Sequence, residues 1–218
     1  TGLLTKGETG EMADAAIGLL LDAERRAAMG QAARRLAEAR FSLASALREA
    51  RREPARAIAP GAAVLALLGS GVQAKAHLEA LSTVCALEQI RVWSRAPEHA
   101  KRFAAEHGAV AMDLESAVRG ADVIVTATNS REPFLRGAWL EPGALVNAVG
   151  SPRPTWRELD DAAMANTLIV DSREAVAKES GDVILSGARI HAEAGEIFAG
   201  TVRCPAGATT IFKSVGIA

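Results

Sequence analysis

Two short stretches of this chain combine residue types and spacing that suit the binding of a phosphorylated ligand. The first is Gly69-Ser70-Gly71-Val72-Gln73-Ala74, which follows the apolar run Val64-Leu65-Ala66-Leu67-Leu68 and opens a helical pattern. A strand, a glycine turn and a helix start in that order aim backbone N–H groups and the positive end of a helix dipole at one point, which suits a pyrophosphate. Gly69 permits the tight turn, Gly71 lets the backbone approach phosphates, and Ala74 is small enough for the helix to pack on its strand. Val72 and Gln73 lie in the helix's first turn and count with the glycines as cofactor-binding candidates.

The second stretch is Ser94-Arg95, which closes the strand Ile90-Arg91-Val92-Trp93 roughly 20 residues past the glycines. A carboxylate at this place would bind a ribose 2′-hydroxyl and select NAD(H). A hydroxyl and a guanidinium would bind a 2′-phosphate by charge-assisted hydrogen bonds. The residues therefore favour NADP(H) over NAD(H). The alternative is that Arg95 is an ordinary solvated residue at a helix start, where Pro97 is also at home.

Further candidates stand at the ends of later strands. In a doubly wound sheet the carboxyl ends of the strands line the ligand crevice. Thr126-Ala127-Thr128 ends one strand, and its small hydroxyl residues suit ribose and phosphates. Asn147-Ala148-Val149-Gly150 ends the next, and the Asn147 amide and the backbone at Val149 suit the nicotinamide edge. Arg153 has the fork to bind a substrate carboxylate, or braces its loop between two prolines. Glu179-Ser180-Gly181-Asp182 reads either as a polar turn near the site or, the favoured reading, as a place where the two acids cap a helix. Trp93, Trp139 and Trp156 read as packing residues.

These positions need a frame, and the rest of the chain supplies one. At 218 residues, 49% of them hydrophobic, the chain has enough apolar material for a sizeable core. Strands are expected near residues 63–68, 90–93, 109–112, 122–127, 145–149, 168–171 and 209–213. Helices are expected near residues 72–83, 97–107, 113–119, 157–165, 172–178 and 192–199. Strands apolar on both faces, alternating with helices, point to an α/β fold: a Rossmann-like, doubly wound, mostly parallel sheet over residues 61–218. Residues 1–60 read as a helical appendage and linker, rich in Ala, Leu, Arg and Glu and punctuated by Pro54 and Pro60-Gly61.

The bulk properties narrow the partners. A net charge of −1 argues against nucleic acid and anionic membranes. No apolar run approaches the roughly 20 residues that span a bilayer, and a cytoplasmic setting is the default expectation. Cys85 and Cys204 form neither a metal motif nor a disulfide framework. His77, His99, His107 and His191 have no ligand spacing, so no metal is expected.

Residues 62–218 resemble the ornithine cyclodeaminase/μ-crystallin family. The resemblance runs through Gly69–Ala74, Gly120–Thr128, Trp139–Gly143, Asn147–Gly150, Trp156–Asp161, Val170–Arg173, Lys178–Asp182 and Phe212–Ser214. It implies an NAD(P)-binding Rossmann-like domain and a small imino or amino acid substrate. It raises Arg153 as a substrate-carboxylate ligand and places Lys213 near the nicotinamide, as a candidate proton donor to an imine. The cyclodeaminase branch carries an Asp in a Gly-Asp-x-Pro-Gly-Lys segment. Here Gly150-Ser151-Pro152-Arg153-Pro154-Thr155-Trp156 has no carboxylate, which favours reduction of a cyclic imino acid over an ornithine ammonia-lyase activity.

Family members also carry a substrate and dimer domain before the glycine turn and a helix after the last strand, which this chain is expected to lack. Ser45-Ala46-Leu47-Arg48 stands where the family has an Arg/Lys-Thr-Ala-Ala helix start. A homo-oligomer is accordingly not assured, and a catalytically incomplete nucleotide-binding module is the alternative reading. Residues 1–52 resemble instead the C-terminal tail of a GT-B glycosyltransferase, through Thr1–Leu4, Leu19–Asp22 and Arg26–Arg34 leading to Arg40-Phe41-Ser42.

Overall fold

A computed structural model describes residues 63–83 and 85–216. The helical appendage and the glycosyltransferase-like tail fall outside the described residues. The chain alternates between strand and helix as its apolar pattern requires. Strand β1 (Ala63–Leu68) leads through the glycine turn into α1 (Val72–Ser82), and β2 (Leu87–Trp93) leads into α2 (Pro97–His107). The short strand β3 (Val110–Ala111) and α3 (Leu114–Val118) follow, then β4 (Val123–Thr126). A 3-10 turn (Gly137–Trp139) precedes β5 (Leu145–Ala148), and α4 (Asp161–Met164) precedes β6 (Thr167–Val170). Helices α5 (Arg173–Glu179) and α6 (Gly181–Ser186), strand β7 (Ile190–Glu193), helix α7 (Ala194–Phe198) and strand β8 (Thr210–Lys213) complete the described chain.

The strands form one sheet in the order β3-β2-β1-β4-β5-β8-β6-β7. All its pairings are parallel. The order runs outward from β1 in both directions, so the direction of winding reverses between β1 and β4. In open α/β sheets ligands bind outside the carboxyl ends of the strands at such a reversal. The last strand, β8, is inserted between β5 and β6, which brings Lys213 level with Ala148 and Val170.

Strand residues alternate between the two faces. Ala66, Leu68, Ile124, Val146, Ala148, Leu168, Val170 and Ile211 share one face and build the main core. That core is closed by Ala117 and Val118 of α3, Ala163 and Met164 of α4, Val176 of α5 and Val183 of α6. Leu65 and Leu67 face the other way, and α1 turns Ala74, Leu78 and Leu81 inward.

The structure departs from the expected elements in three places. The helix expected over residues 157–165 is only Asp161–Met164. Residues 157–160 instead lie outside any helix beside Phe134 and Leu135, whose N–H groups both bond to the Glu158 carbonyl, at 3.0 and 2.9 Å. Helix α6 and strand β7 were not expected. The helix placed over residues 192–199 starts at Ala194, because Ala192 and Glu193 pair with Ile169 and Val170 as the end of β7.

Candidate functional site

The glycine turn forms at the carboxyl end of β1. Gly69 has φ +126°, a conformation that L side chains rarely adopt, and a Cβ there would lie 2.5 Å from the Ala127 carbonyl oxygen. Its N–H donates to the Trp93 carbonyl at 2.9 Å. The turn is thereby tied to the end of β2 and pressed against the end of β4. Gly71 caps α1 without a side-chain bond, and a Cβ there would meet nothing within 4 Å. The open approach and the uncapped first turn leave backbone N–H groups for an anionic ligand. Val72 and Gln73 are both exposed in this first turn. These features fit the pyrophosphate of a dinucleotide.

The tie from Gly69 to Trp93 also sets Ser94 and Arg95 beside the glycine turn. Ser94 is half-buried and Arg95 is exposed. Helix α2 begins just after them with Ala96 as an uncapped N-cap and Pro97 in its first turn. A guanidinium, a hydroxyl and a second uncapped helix start thus lie at one edge of the crevice.

The ends of β4 and β5 are built differently from the expectation. Thr126 is fully buried and its hydroxyl donates to Glu158 Oε2 at 2.7 Å. The Thr128 backbone N–H and hydroxyl donate to Glu158 Oε1 at 2.7 and 2.6 Å. These hydroxyls, expected to serve ribose and phosphates, are engaged by a buried carboxyl beneath the turn. Ala127 is half-buried, and its N–H donates to the Leu68 carbonyl at 2.9 Å. Sequence reasoning missed Glu158 because it falls in a stretch read as helix, where a glutamate signals nothing.

Asn147 is fully buried in β5, and neither its amide nitrogen nor its oxygen has a hydrogen-bond partner. Buried polar atoms are nearly always paired. This orphaned amide is therefore the observation on the β5 side that fits a polar ligand such as a carboxamide. Val149 is half-buried, and its N–H donates to the Thr126 carbonyl at 2.9 Å. Gly150 is pressed so closely to Thr128 and Glu158 that a Cβ would collide with both. Ser151, at φ +50°, is held by its N–H on the Thr128 carbonyl at 2.8 Å and its hydroxyl on the Ser130 carbonyl at 2.6 Å.

Arg153 is exposed, with its guanidinium 5.0 Å from the centre of the Trp156 ring. Arg131 approaches the same ring at 5.5 Å. The loop around Arg153 is braced through its backbone: its carbonyl accepts from Gly181 and from Trp156, both at 3.0 Å. The exposed fork is free of ion pairs among the described residues, as a carboxylate ligand must be.

Lys213 is fully buried. Its ammonium donates to the Gly150 carbonyl at 2.7 Å and lies 3.1 Å from Asp182 Oδ2. It is committed to two partners within the fold, whereas a donor to an imine needs an ammonium open to the crevice. Asp182, expected to cap a helix, is also buried, and its Oδ1 accepts from the N–H groups of Glu158 and Leu159 at 2.8 and 3.0 Å. Ser180 caps α6 instead, which frees Asp182 to face inward from the first turn. Burial pushes the Glu158 carboxyl above the ordinary carboxylate range, against the opposing pull of Lys213 and of the Thr128 and Thr126 hydrogen bonds.

Among the described residues no helix is long and apolar enough to cross a membrane. No group of three or more His, Cys, Asp and Glu is placed to hold a metal ion.

Comparison with known proteins identifies the family. The sequence profile of the ornithine cyclodeaminase/mu-crystallin family matches residues 55–218. The ketimine reductase mu-crystallin of Mus musculus is 48% identical over 163 residues, covering 73% of this chain and 52% of the relative. A Δ1-pyrroline-2-carboxylate reductase of Bacillus cereus is 38% identical over 175 residues, covering 72% and 54%. The chain thus spans about half the length of the curated relatives it matches. Among solved structures, the Δ1-pyrroline-2-carboxylate reductase of Thermococcus litoralis, in complex with NADH and L-proline, superposes with a TM-score of 0.68 at 33% identity. That match covers 83% of this chain and 60% of the other. An archaeal alanine dehydrogenase with bound NAD gives the same TM-score at 28% identity, covering 83% and 59%. A Rossmann-like sheet with a glycine turn at its switch point, and a family profile that runs through both, place this chain in the ornithine cyclodeaminase/mu-crystallin family.

Proposed function

We propose that this chain binds NADP(H) and serves an oxidoreductase that reduces the C=N bond of a cyclic imino acid. The observation that carries the reading is the glycine turn: Gly69 held against β4, Gly71 open, and α1 starting without a side-chain cap. The relatives named as ketimine and pyrroline-2-carboxylate reductases supply the reaction class.

Each residue has a part in this reading. The first-turn amides of α1, from Gly71 through Val72 and Gln73, hold the pyrophosphate. Ser94 and Arg95 hold a 2′-phosphate, which a carboxylate in their place would repel. The unpartnered amide of Asn147 pairs with the carboxamide of the nicotinamide, and Val149 and Ala127 supply the wall beside it. Arg153 takes the substrate carboxylate and so fixes the imine carbon's approach. A bound reduced nicotinamide supplies the hydride. Lys213 contributes by holding the Gly150 carbonyl, not by giving up its proton. The loop from Gly150 to Trp156 offers no carboxylate, which favours imine reduction over a cyclodeaminase reaction.

The neighbouring structures with NADH and NAD make the cofactor choice a direct test. NADPH and NADH are titrated by nicotinamide fluorescence, and Δ1-piperideine-2-carboxylate is then added to the same cuvette. Tighter binding of NADPH and loss of its fluorescence on adding the imine are the expected results. Because the chain spans only about half of its curated relatives, a nucleotide-binding module without turnover is the second reading. Binding without consumption would select that one, and failure to bind either nucleotide would reject both.

A further inference from the structure

Glu158 is buried to 0% exposure at the crevice, yet no sequence signal gives it a role. Its two oxygens are used differently. Oε1 accepts from the Thr128 N–H and hydroxyl, while Oε2 accepts from the Thr126 hydroxyl and, at 3.0 Å, from the Gly150 N–H. Each oxygen therefore faces one backbone N–H, one from the turn after β4 and one from the turn after β5. These turns also meet directly, through the Gly150 N–H on the Thr126 carbonyl at 3.2 Å and the Ser151 N–H on the Thr128 carbonyl. The carboxyl closes the same junction from beneath.

The chemistry of this junction calls for a carboxyl group. An ionised carboxylate accepts from all four donors. A protonated one still accepts at both oxygens and turns its proton onto a threonine hydroxyl, which can accept it. A carboxamide fits neither way round, because its NH2 must face one of the two backbone N–H groups. Behind the carboxyl stands a second buried set. Asp182 accepts from the backbone N–H of Glu158 itself, and Lys213 bridges Asp182 to the Gly150 carbonyl. Gly150 is thus held at its N–H by Glu158 and at its carbonyl by Lys213. The charged groups facing this carboxyl from the packed elements are Lys213 of β8 and Asp182 of α6, and Lys213 is the one that favours its ionised form.

We propose that Glu158 is a positioning residue of the crevice, a buried carboxyl that clasps the turn after β4 to the turn after β5. It fixes the backbone against which the nicotinamide end of the cofactor rests, with the Asp182–Lys213 pair as its backstop. The cofactor part of this statement rests on the proposed function, whereas the clasp does not.

The test compares the full chain with its Glu158→Gln variant by residue-resolved amide hydrogen exchange without nucleotide, and then by NADPH titration. Either the Thr128 amide or the Gly150 amide, both of which donate to Glu158 in the structure, is expected to exchange at least tenfold faster in the variant. The amides inside β1 and β4 are expected to keep their wild-type rates. NADPH affinity is expected to fall about tenfold, as a displaced turn would cause. Unchanged exchange at both Thr128 and Gly150 would overturn the clasp. Uniform acceleration through β4 and β5 would make Glu158 an ordinary core residue and overturn it equally. Fast local exchange with unaltered NADPH affinity would overturn the positioning role. If Glu158→Gln does not fold, Glu158→Asp serves: one methylene shorter, it is expected to release either Thr128 or Gly150 while the other stays protected, and protection of both would refute the clasp. A wild-type chain that binds no nucleotide would defeat the functional reading, with the exchange comparison still deciding the clasp.

Discussion

Arg95 and Gly69 offer the sharpest tests at the scale of single residues. Replacing Arg95 with Glu puts a like charge beside a 2′-phosphate. NADPH affinity should fall about tenfold to a hundredfold, following the 1.5–3 kcal/mol of a charge-assisted bond, with NADH affinity little changed. Equal losses for both nucleotides would show that Arg95 does not read the 2′ position. Gly69→Ala meets both a left-handed backbone and the Ala127 carbonyl. It should cost about 1–3 kcal/mol in urea unfolding and weaken both nucleotides together. Glu158 makes a prediction in pH. The folded chain binds this proton more tightly than the unfolded chain, because burial raises the carboxyl above its ordinary value. That contribution to stability is fully present below the unfolded value and is lost as pH rises through the folded one. Urea melts of Glu158→Gln between about pH 4 and 8 should lack this downward slope. Parallel wild-type and variant profiles would show that the proton is not taken up on folding.

Elements act here through their ends. The N-cap of α4, Asp160, accepts from the Ala163 N–H at 2.8 Å and from the Gly137 N–H at 2.9 Å. One carboxylate therefore starts a helix and pins the 3-10 turn before β5. Asp160→Ala should cost about 1–2 kcal/mol in chemical denaturation, with amide exchange quickened at Gly137 as well as Ala163. A loss confined to α4 would show that the 3-10 turn stands without it. The same logic explains the elements that sequence reading missed. Residues 190–193 are Ile-His-Ala-Glu, and in the fold only Ala192 of the four is buried. An edge strand of that kind has too few apolar side chains for a period of two to be seen. Helix α6 begins at Gly181, an unpromising helix residue, and depends on the Ser180 cap and on Asp182 finding partners in residues 158 and 159.

At the scale of the molecule, the sheet order converts distant sequence into one buried ionic cluster. Lys213 on the last strand, Asp182 on α6 and Glu158 before α4 meet under the crevice because β8 inserts beside β5. Removing one member leaves the others buried without that partner. Lys213→Met should destabilise the chain by about 3–5 kcal/mol, since Asp182 is left as an uncompensated buried charge. Lys213→Met combined with Asp182→Asn should recover part of that loss in the same denaturation experiment. A Lys213→Met variant as stable as wild type would show that the Lys213–Asp182 pair adds no net stability.

The sequence by itself determined what is written in neighbouring residues. The apolar run before Gly69, the spacing of the glycines, the Ser94-Arg95 pair after β2 and the alternation that makes a parallel sheet are all local, and each appears where it was expected. Backbone chemistry such as a left-handed glycine or a helix start depends on a few consecutive residues, so its signal survives in one dimension. Only the tertiary structure decided the uses of Thr126, Thr128, Asp182 and Lys213. The long-range partners that set these uses lie 23 to 63 positions away, from Leu159 with Asp182 to Lys213 with Gly150. A buried hydroxyl, carboxylate or ammonium takes whichever partner the packing brings within reach, because leaving it unpaired in the interior costs more than any local preference.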